Sequence, residues 1–238
     1  IKELIPSGAL QADTVLALSN ALYFKGAWAH PFSESATREA VFHTPNGEKT
    51  VPFMRGKPKA YYSLQKEYQA VSLPYAGTTL AMALIMPRKP EQWRSVRSAL
   101  NVALLEELDR VSDPARESSV EYSEPPVIEL RMPKFEISES SKPLPLLKEM
   151  GFDKLLSGSG EYSIFENRNA PVVVEDCFHE TVIKVHEKGT EAAAATAVLA
   201  VRSVPPISID LIIDRPFFFV IYDRESKAPL FLGQIVDP

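Results

Sequence analysis

From Thr14 to Lys25 the chain alternates. Leu16, Leu18, Asn20, Leu22 and Phe24 fall on one face of an extended segment, and Val15, Ala17, Ser19, Ala21 and Tyr23 on the other. Both faces are mostly apolar or small, which predicts a strand covered on both sides. Asn20 then lies within the more apolar face, where a buried amide must find hydrogen-bond partners or cost about 1–3 kcal/mol. Between Val41 and Ala76 short strand-like pieces are separated by turns such as Pro45-Asn46-Gly47. Thr79 to Met86 is a near-continuous apolar run stopped by Pro87, the pattern of a buried strand. The period changes between Glu91 and Val111. There Trp93, Val96, Leu100, Leu104, Leu108 and Val111 recur at helical spacing, predicting one amphipathic helix or two short consecutive ones.

Asp113 to Glu124 is polar and reads as a surface loop. Val127 to Ile137 reads as a strand, with Pro133 suited to an edge or a bend, and Leu144 to Leu155 as a short helix. Three strands follow at Ile207–Ile213, Phe217–Tyr222 and Leu230–Val236, the last two joined by the polar turn Asp223–Pro229. Phe217, Phe218 and Phe219 in succession must feed a core on both faces of their strand. No internal repeat or composition break divides the chain, so the expectation is one β-rich α+β domain spanning residues 1–238.

Composition narrows the function. No apolar run approaches the roughly 20 residues of a membrane span. A net charge of −5 and a pI near 5.5 argue against a nucleic-acid partner, which would select for a basic face. Cys177 is the one cysteine, so no internal disulfide is available, and the chain suits either cytosol or an extracellular setting. The opening Ile1-Lys2-Glu3-Leu4 lacks both a signal-peptide pattern and an initiating Met, which suggests a start inside a longer protein.

The four histidines, His30, His43, His179 and His186, are scattered, and His179 and His186 would face opposite sides of a strand. They predict no metal site. No nucleophile elbow, phosphate loop or zincin helix occurs, no cofactor is implied, and an enzyme is disfavoured. Cys177 beside His179 reads as a packed cysteine rather than a nucleophile.

Residues 187–206 fit an ordinary fold poorly. Alanine-rich Thr190 to Ala200 has good helix propensity, yet it carries no amphipathic stripe and lies between Gly189 and Pro205-Pro206. As a strand, Thr190, Ala192, Ala194, Thr196 and Val198 would line one face without bulk, so the segment could slide between existing strands. A loop able to become a central strand is metastable, and its insertion can drive mechanical work.

Glu187-Lys188-Gly189-Thr190-Glu191-Ala192-Ala193-Ala194-Ala195-Thr196-Ala197 resembles the hinge of inhibitory serpins. Asn20-Ala21-Leu22-Tyr23-Phe24-Lys25-Gly26-Ala27-Trp28 is similar to the family's central strand leading into its breach. Asp214-Arg215-Pro216-Phe217-Phe218-Phe219 and Pro229-Leu230-Phe231-Leu232-Gly233 resemble its C-terminal signature and last strand. The resemblance covers nearly the whole chain and implies a serpin fold: large mixed and antiparallel sheets, surrounding helices and an exposed reactive-centre loop at about 187–206. Roughly the family's N-terminal third would precede Ile1. By the same resemblance, Asn20 and His179 match the shutter pair that holds the central strands, and Trp28 matches the breach tryptophan. For His179 the plain alternative is a satisfied core histidine.

The family mechanism is suicide inhibition of a serine protease, and it needs a bait residue. Counting from Gly189 reaches Ser203; matching Pro205-Pro206 to Arg-Ser-x-Pro-Pro loops gives Arg202, which is preferred. Arg202 is the only basic residue between Lys188 and Arg215, and its guanidinium suits the acidic primary pocket of a trypsin-like enzyme. The reactive bond would be Arg202–Ser203, in a monomer acting outside the cell. A glycosaminoglycan cofactor would bind through the part preceding Ile1. The rival class is a non-inhibitory serpin, a carrier, storage or chaperone protein, whose hinges tend to be bulky or charged. Thr190 and, after Glu191, the four alanines Ala192–Ala195 favour inhibition.

Overall fold

A computed structural model describes residues 4–10, 14, 16–110, 127–156, 174–190 and 208–238. In chain order the strands are β1 (Leu16–Tyr23), β2 (Gly26–Ala27), β3 (Arg38–Thr44), β4 (Gly47–Gly56), β5 (Tyr61–Leu64), β6 (Tyr68–Pro74) and β7 (Leu80–Pro87). Helices α1 (Trp93–Ala99) and α2 (Val102–Arg110) follow, then β8 (Val127–Pro133), β9 (Phe135–Ser141) and the short helices α3 (Leu144–Leu147) and α4 (Asp153–Leu156). The chain ends with β10 (Val174–His186), β11 (Gly189–Thr190), β12 (Ser208–Ile212), β13 (Phe217–Asp223) and β14 (Pro229–Ile235). These elements fall into two compact units, residues 1–24 with 136–183, and residues 25–135 with 184–238.

In the first unit β1 runs parallel to β10, in register from Leu16 opposite Val174 to Tyr23 opposite Val182, and β9 also pairs with β10. Phe178 is buried with Lys142 over its ring at 4.9 Å, and the Lys142 ammonium pairs with Asp176 at 2.5 Å. Cys177 is free and buried, as the sequence reading expects; burial and the Asp176 carboxylate both push its thiol up.

Two expectations change here. The segment Leu144–Leu155 is not one helix, because Gly151, at φ +92°, interrupts it between α3 and α4. And β1 is not covered on both sides: Leu18 and Tyr23 are exposed, and so is Asn20. Alternation of small and apolar residues makes both faces fit for burial but does not by itself supply the layer that buries them; on the Asn20 face Leu16 and Leu22 are half-buried while Leu18 and Asn20 are exposed.

The second unit holds two sheets. One has the order β12-β8-β4-β3, with β12 parallel to β8 and the remaining pairs antiparallel; the other, β14-β13-β7-β6-β5, is antiparallel throughout. The apolar run at β7 is buried on both faces, and its period of two explains how. Ala81, Ala83 and Ile85 join Phe218, Val220 and Tyr222 of β13 under Val96, Leu104, Leu105 and Leu108 of α1 and α2. The small alanines let the helices come close.

The alternate residues Phe217 and Phe219 point the other way. Phe217 meets Phe42 and Phe135 edge-on at 6.4 and 5.7 Å, and Phe219 lies 5.8 Å from Phe135. The three consecutive phenylalanines thus serve two cores. Gly233 stands opposite Phe219 in register, and a Cβ there would lie 2.4 Å from the ring, so the ring needs a glycine beneath it. The predicted helix over 91–111 is resolved into α1 and α2. The single strand read from Val127 to Ile137 is two, β8 and β9, divided at Lys134 just after Pro133. Proline lacks the N–H that would continue the ladder.

Candidate functional site

The hinge begins at the C-terminal end of β10. After His186, the Glu187-Lys188 turn reverses the chain into β11, where Gly189 pairs with His186 and Thr190 with Val185. On its other edge β11 pairs with β2, Gly189 opposite Ala27 and Thr190 opposite Gly26. Both pairings are antiparallel, so the first residues of the hinge already stand as a strand between β10 and β2. Gly189 has φ +142°, and a Cβ would sit 2.2 Å from the Gly26 carbonyl oxygen and 2.9 Å from the Trp28 nitrogen. Only glycine gives both this backbone angle and this approach.

Trp28 closes the end of this ladder. Its backbone N–H donates to the Lys188 carbonyl at 3.0 Å, and its indole N–H donates to the His186 carbonyl at 3.0 Å. The indole is buried and stacks on Tyr75 with centroids 4.8 Å apart. The Tyr75 hydroxyl in turn shares a 2.8 Å hydrogen bond with Thr190 Oγ1, both groups being buried. Burial drives the Tyr75 phenol strongly upward despite that bond, so it stays neutral. A satisfied hydroxyl, rather than an apolar group, thus sits at Thr190, the last described residue of β11.

The turn carries a buried carboxylate. Glu187 is only 4% exposed, and it accepts from Thr37 Oγ1 at 2.6 Å and from Lys134 Nζ at 3.0 and 3.1 Å. Burial pushes its pKa up, but the Thr37 hydroxyl, its own backbone amide and the Lys134 ammonium together outweigh that and hold it below the usual carboxylate range. The Phe32 N–H donates to the Glu187 carbonyl at 2.8 Å, and Lys188 Nζ pairs with Glu34 at 3.0 Å. His186 Nδ1 accepts from the Lys188 N–H at 3.3 Å, and burial lowers the imidazole pKa, favouring the neutral ring.

Of the residues singled out in the sequence, Glu187, Gly189, Thr190 and Trp28 therefore meet in one cluster. Asn20 and His179 are brought opposite each other in the β1–β10 register. Asn20 is nevertheless exposed, and His179 Nε2 shares its 2.9 Å bond with Thr181 Oγ1. Among the described residues no side-chain hydrogen bond joins Asn20 to His179. Glu191, Ala192, Ala193, Ala194 and Ala195, and the bond Arg202–Ser203, lie outside the described residues. Sequence reading missed Thr37, Lys134 and Tyr75. They stand 150, 53 and 115 positions from the residues they hold, and no local spacing marks them.

The family description Serpin (serine protease inhibitor) matches residues 1–238. Serpin-ZXA of Oryza sativa subsp. japonica is 33% identical over 248 residues, taking in 100% of this chain and 60% of the relative. A serine protease inhibitor of Cyanea capillata is 32% identical, across 100% and 61%. The chain thus spans about 60% of the length of the curated relatives it matches. Among solved structures, human thyroxine-binding globulin in complex with thyroxine aligns at a TM-score of 0.78 and 27% identity, covering 99% of this chain and 59% of that one. Serpin48 of the insect Tenebrio molitor aligns at 0.77 over 100% of this chain at 24% identity, a likeness of fold. The expected mixed sheets and few helices are those of the serpin fold, and with all 238 residues matched by the family, this chain belongs to the serpins.

Proposed function

We propose that the full-length protein is a suicide inhibitor of a trypsin-like serine protease, baited at Arg202–Ser203. The observation that carries this reading is β11: the hinge enters the gap between β10 and β2 antiparallel to both. Over Leu16–Tyr23 and Val174–Val182 the strands β1 and β10 are paired directly and in parallel. A hinge strand continuing past Thr190 would replace that one parallel ladder by two antiparallel ones, a net gain of backbone hydrogen bonds in the better-aligned geometry. Ala192, Ala194 and Thr196 supply small side chains for it.

The chemistry belongs to the protease. Its serine oxygen adds to the Arg202 carbonyl, the Arg202–Ser203 amide bond breaks, and the Ser203 amine leaves with a proton, so that Arg202 remains esterified to the enzyme. Insertion from Thr190 to Arg202 would then carry the ester about 40 Å at roughly 3.4 Å per residue, pulling the catalytic groups out of line before water can hydrolyse it. An extracellular, monomeric inhibitor goes with this reading.

The second reading, a ligand carrier, is favoured by the likeness to thyroxine-binding globulin, which holds thyroxine in its crystal structure. Mixing full-length protein with trypsin separates the two. An SDS-stable covalent complex that vanishes with Arg202→Ala is expected. Cleavage after Arg202 with no complex would remove the inhibitory reading.

A further inference from the structure

A cleft of about 690 Å3 opens in the second unit where the β3–β4 turn, the end of β7, the start of α1 and the β13–β14 pair converge. Pro45, Pro87, Pro90 and Pro216 form its walls, with the Trp93 indole among them. Proline rings have almost no side-chain entropy to lose, so such walls are preformed for a ligand. The volume lies in the range of small-molecule sites.

Of the polar groups lining the cleft, Arg215 is a donor only, whereas His43, Thr44 and Gln234 can donate or accept. Arg215 is fixed by two bonds, Nε donating to Asp214 Oδ1 at 2.8 Å and Nη1 to the Arg88 carbonyl at 3.1 Å. Its Nη2 has no partner among the described residues, and neither has the side-chain amide of Gln234. His43 also lines the cleft, its Nδ1 3.5 Å from the exposed Glu48. Arg94 and Arg97 lie over the Trp93 ring at 5.3 and 5.7 Å and add positive charge nearby. The acids at hand, Asp214 and Glu48, are engaged with Arg215 and His43.

An anchored guanidinium with a free N–H pair, beside an amide and a rigid aromatic and proline wall, is the layout for one small amphipathic anion. We propose that this cleft binds an aromatic carboxylate or sulfonate, the ring system against Trp93 and the prolines and the anionic group on Arg215 and Gln234. None of Glu187, Gly189, Thr190 and Trp28 lines the cleft.

The test is a fluorescence titration of the full-length protein with 8-anilinonaphthalene-1-sulfonate, beside the neutral N-phenyl-1-naphthylamine. Saturable 1:1 binding is expected, with the sulfonate preferred. Arg215→Gln should weaken the sulfonate by about tenfold or more, the order of a lost charged hydrogen bond. Gln234→Glu, a change at an exposed strand position that leaves the Arg215 bonds alone, should weaken the sulfonate and spare the neutral dye. Val236→Trp, which fills the cleft, should weaken both. Absence of saturable binding, equal affinity for the two dyes, or indifference to Gln234→Glu and Val236→Trp would overturn the proposal.

Discussion

Glu187 shows how one side chain couples the hinge to its surroundings. Its folded-state pKa is depressed, so its ionised form contributes stability that is fully present above the ordinary glutamate range and is lost as pH falls through the lower folded value. Glu187→Gln should therefore lower thermal stability at neutral pH, by about 1–2 kcal/mol, since Lys134 is partly exposed and the pair is screened. The difference between the two proteins should shrink as pH drops below about 4.5, the unperturbed glutamate value; melting curves from pH 3 to 7 check it. A gap that widened toward low pH would mean the carboxylate acts as a neutral donor. Gly189 poses a steric question. Gly189→Ala would press a Cβ against the Gly26 carbonyl at a backbone angle that disfavours it, and should cost at least about 2 kcal/mol in urea unfolding.

Between elements, Asp109 links α2 to the β13–β14 turn. Asp109 accepts from the Tyr222 hydroxyl and from Arg224 Nε, each at 3.1 Å, and from Lys227 Nζ. The Tyr222 oxygen also shares a 2.9 Å bond with Ser72, and burial pushes its phenol well up. Lys227 takes φ +62° to reach this carboxylate, a turn geometry unusual outside glycine. Removing the acid would leave two cations half-buried and unpaired. Asp109→Ala should cost about 3 kcal/mol by chemical denaturation, whereas Ser72→Ala, which leaves the ion pairs in place, should cost nearer 1.

On the scale of the whole molecule, the proposed inhibition turns on an exchange of strands. Thr190 is fully buried and bonded to Tyr75, so the gap between β10 and β2 is already shaped for a small hydroxyl. Thr190→Arg would bring a charge into that space, displace β11 and so hinder insertion of the residues that follow, while leaving Arg202 available to the protease. The expected outcome is a switch of partition: trypsin cleaves the variant at an undiminished rate, and the yield of covalent complex falls at least about tenfold, as unpaired burial of a charge implies. Equal complex yields would show that insertion does not pass through the Thr190 position.

The periodic elements were readable along the chain, because a period of two or of 3.6 is a local property. β7, the paired helices α1 and α2, and the double duty of Phe217–Phe219 were all legible in this way. The contiguous hinge-like run singled out Glu187, Gly189 and Thr190, and the Asn20–Trp28 run singled out Trp28; the structure brings these four together. Boundaries set by a single breaker were harder, as at Pro133 and Gly151. What depends on residues far apart in sequence emerged with the fold. It seats the Glu187 carboxylate on Thr37 and Lys134, ties Thr190 to Tyr75, and sets Asn20 opposite His179 without a side-chain bond between them. A hydrogen bond or a covering layer is a property of two surfaces, and a one-dimensional pattern describes only one of them.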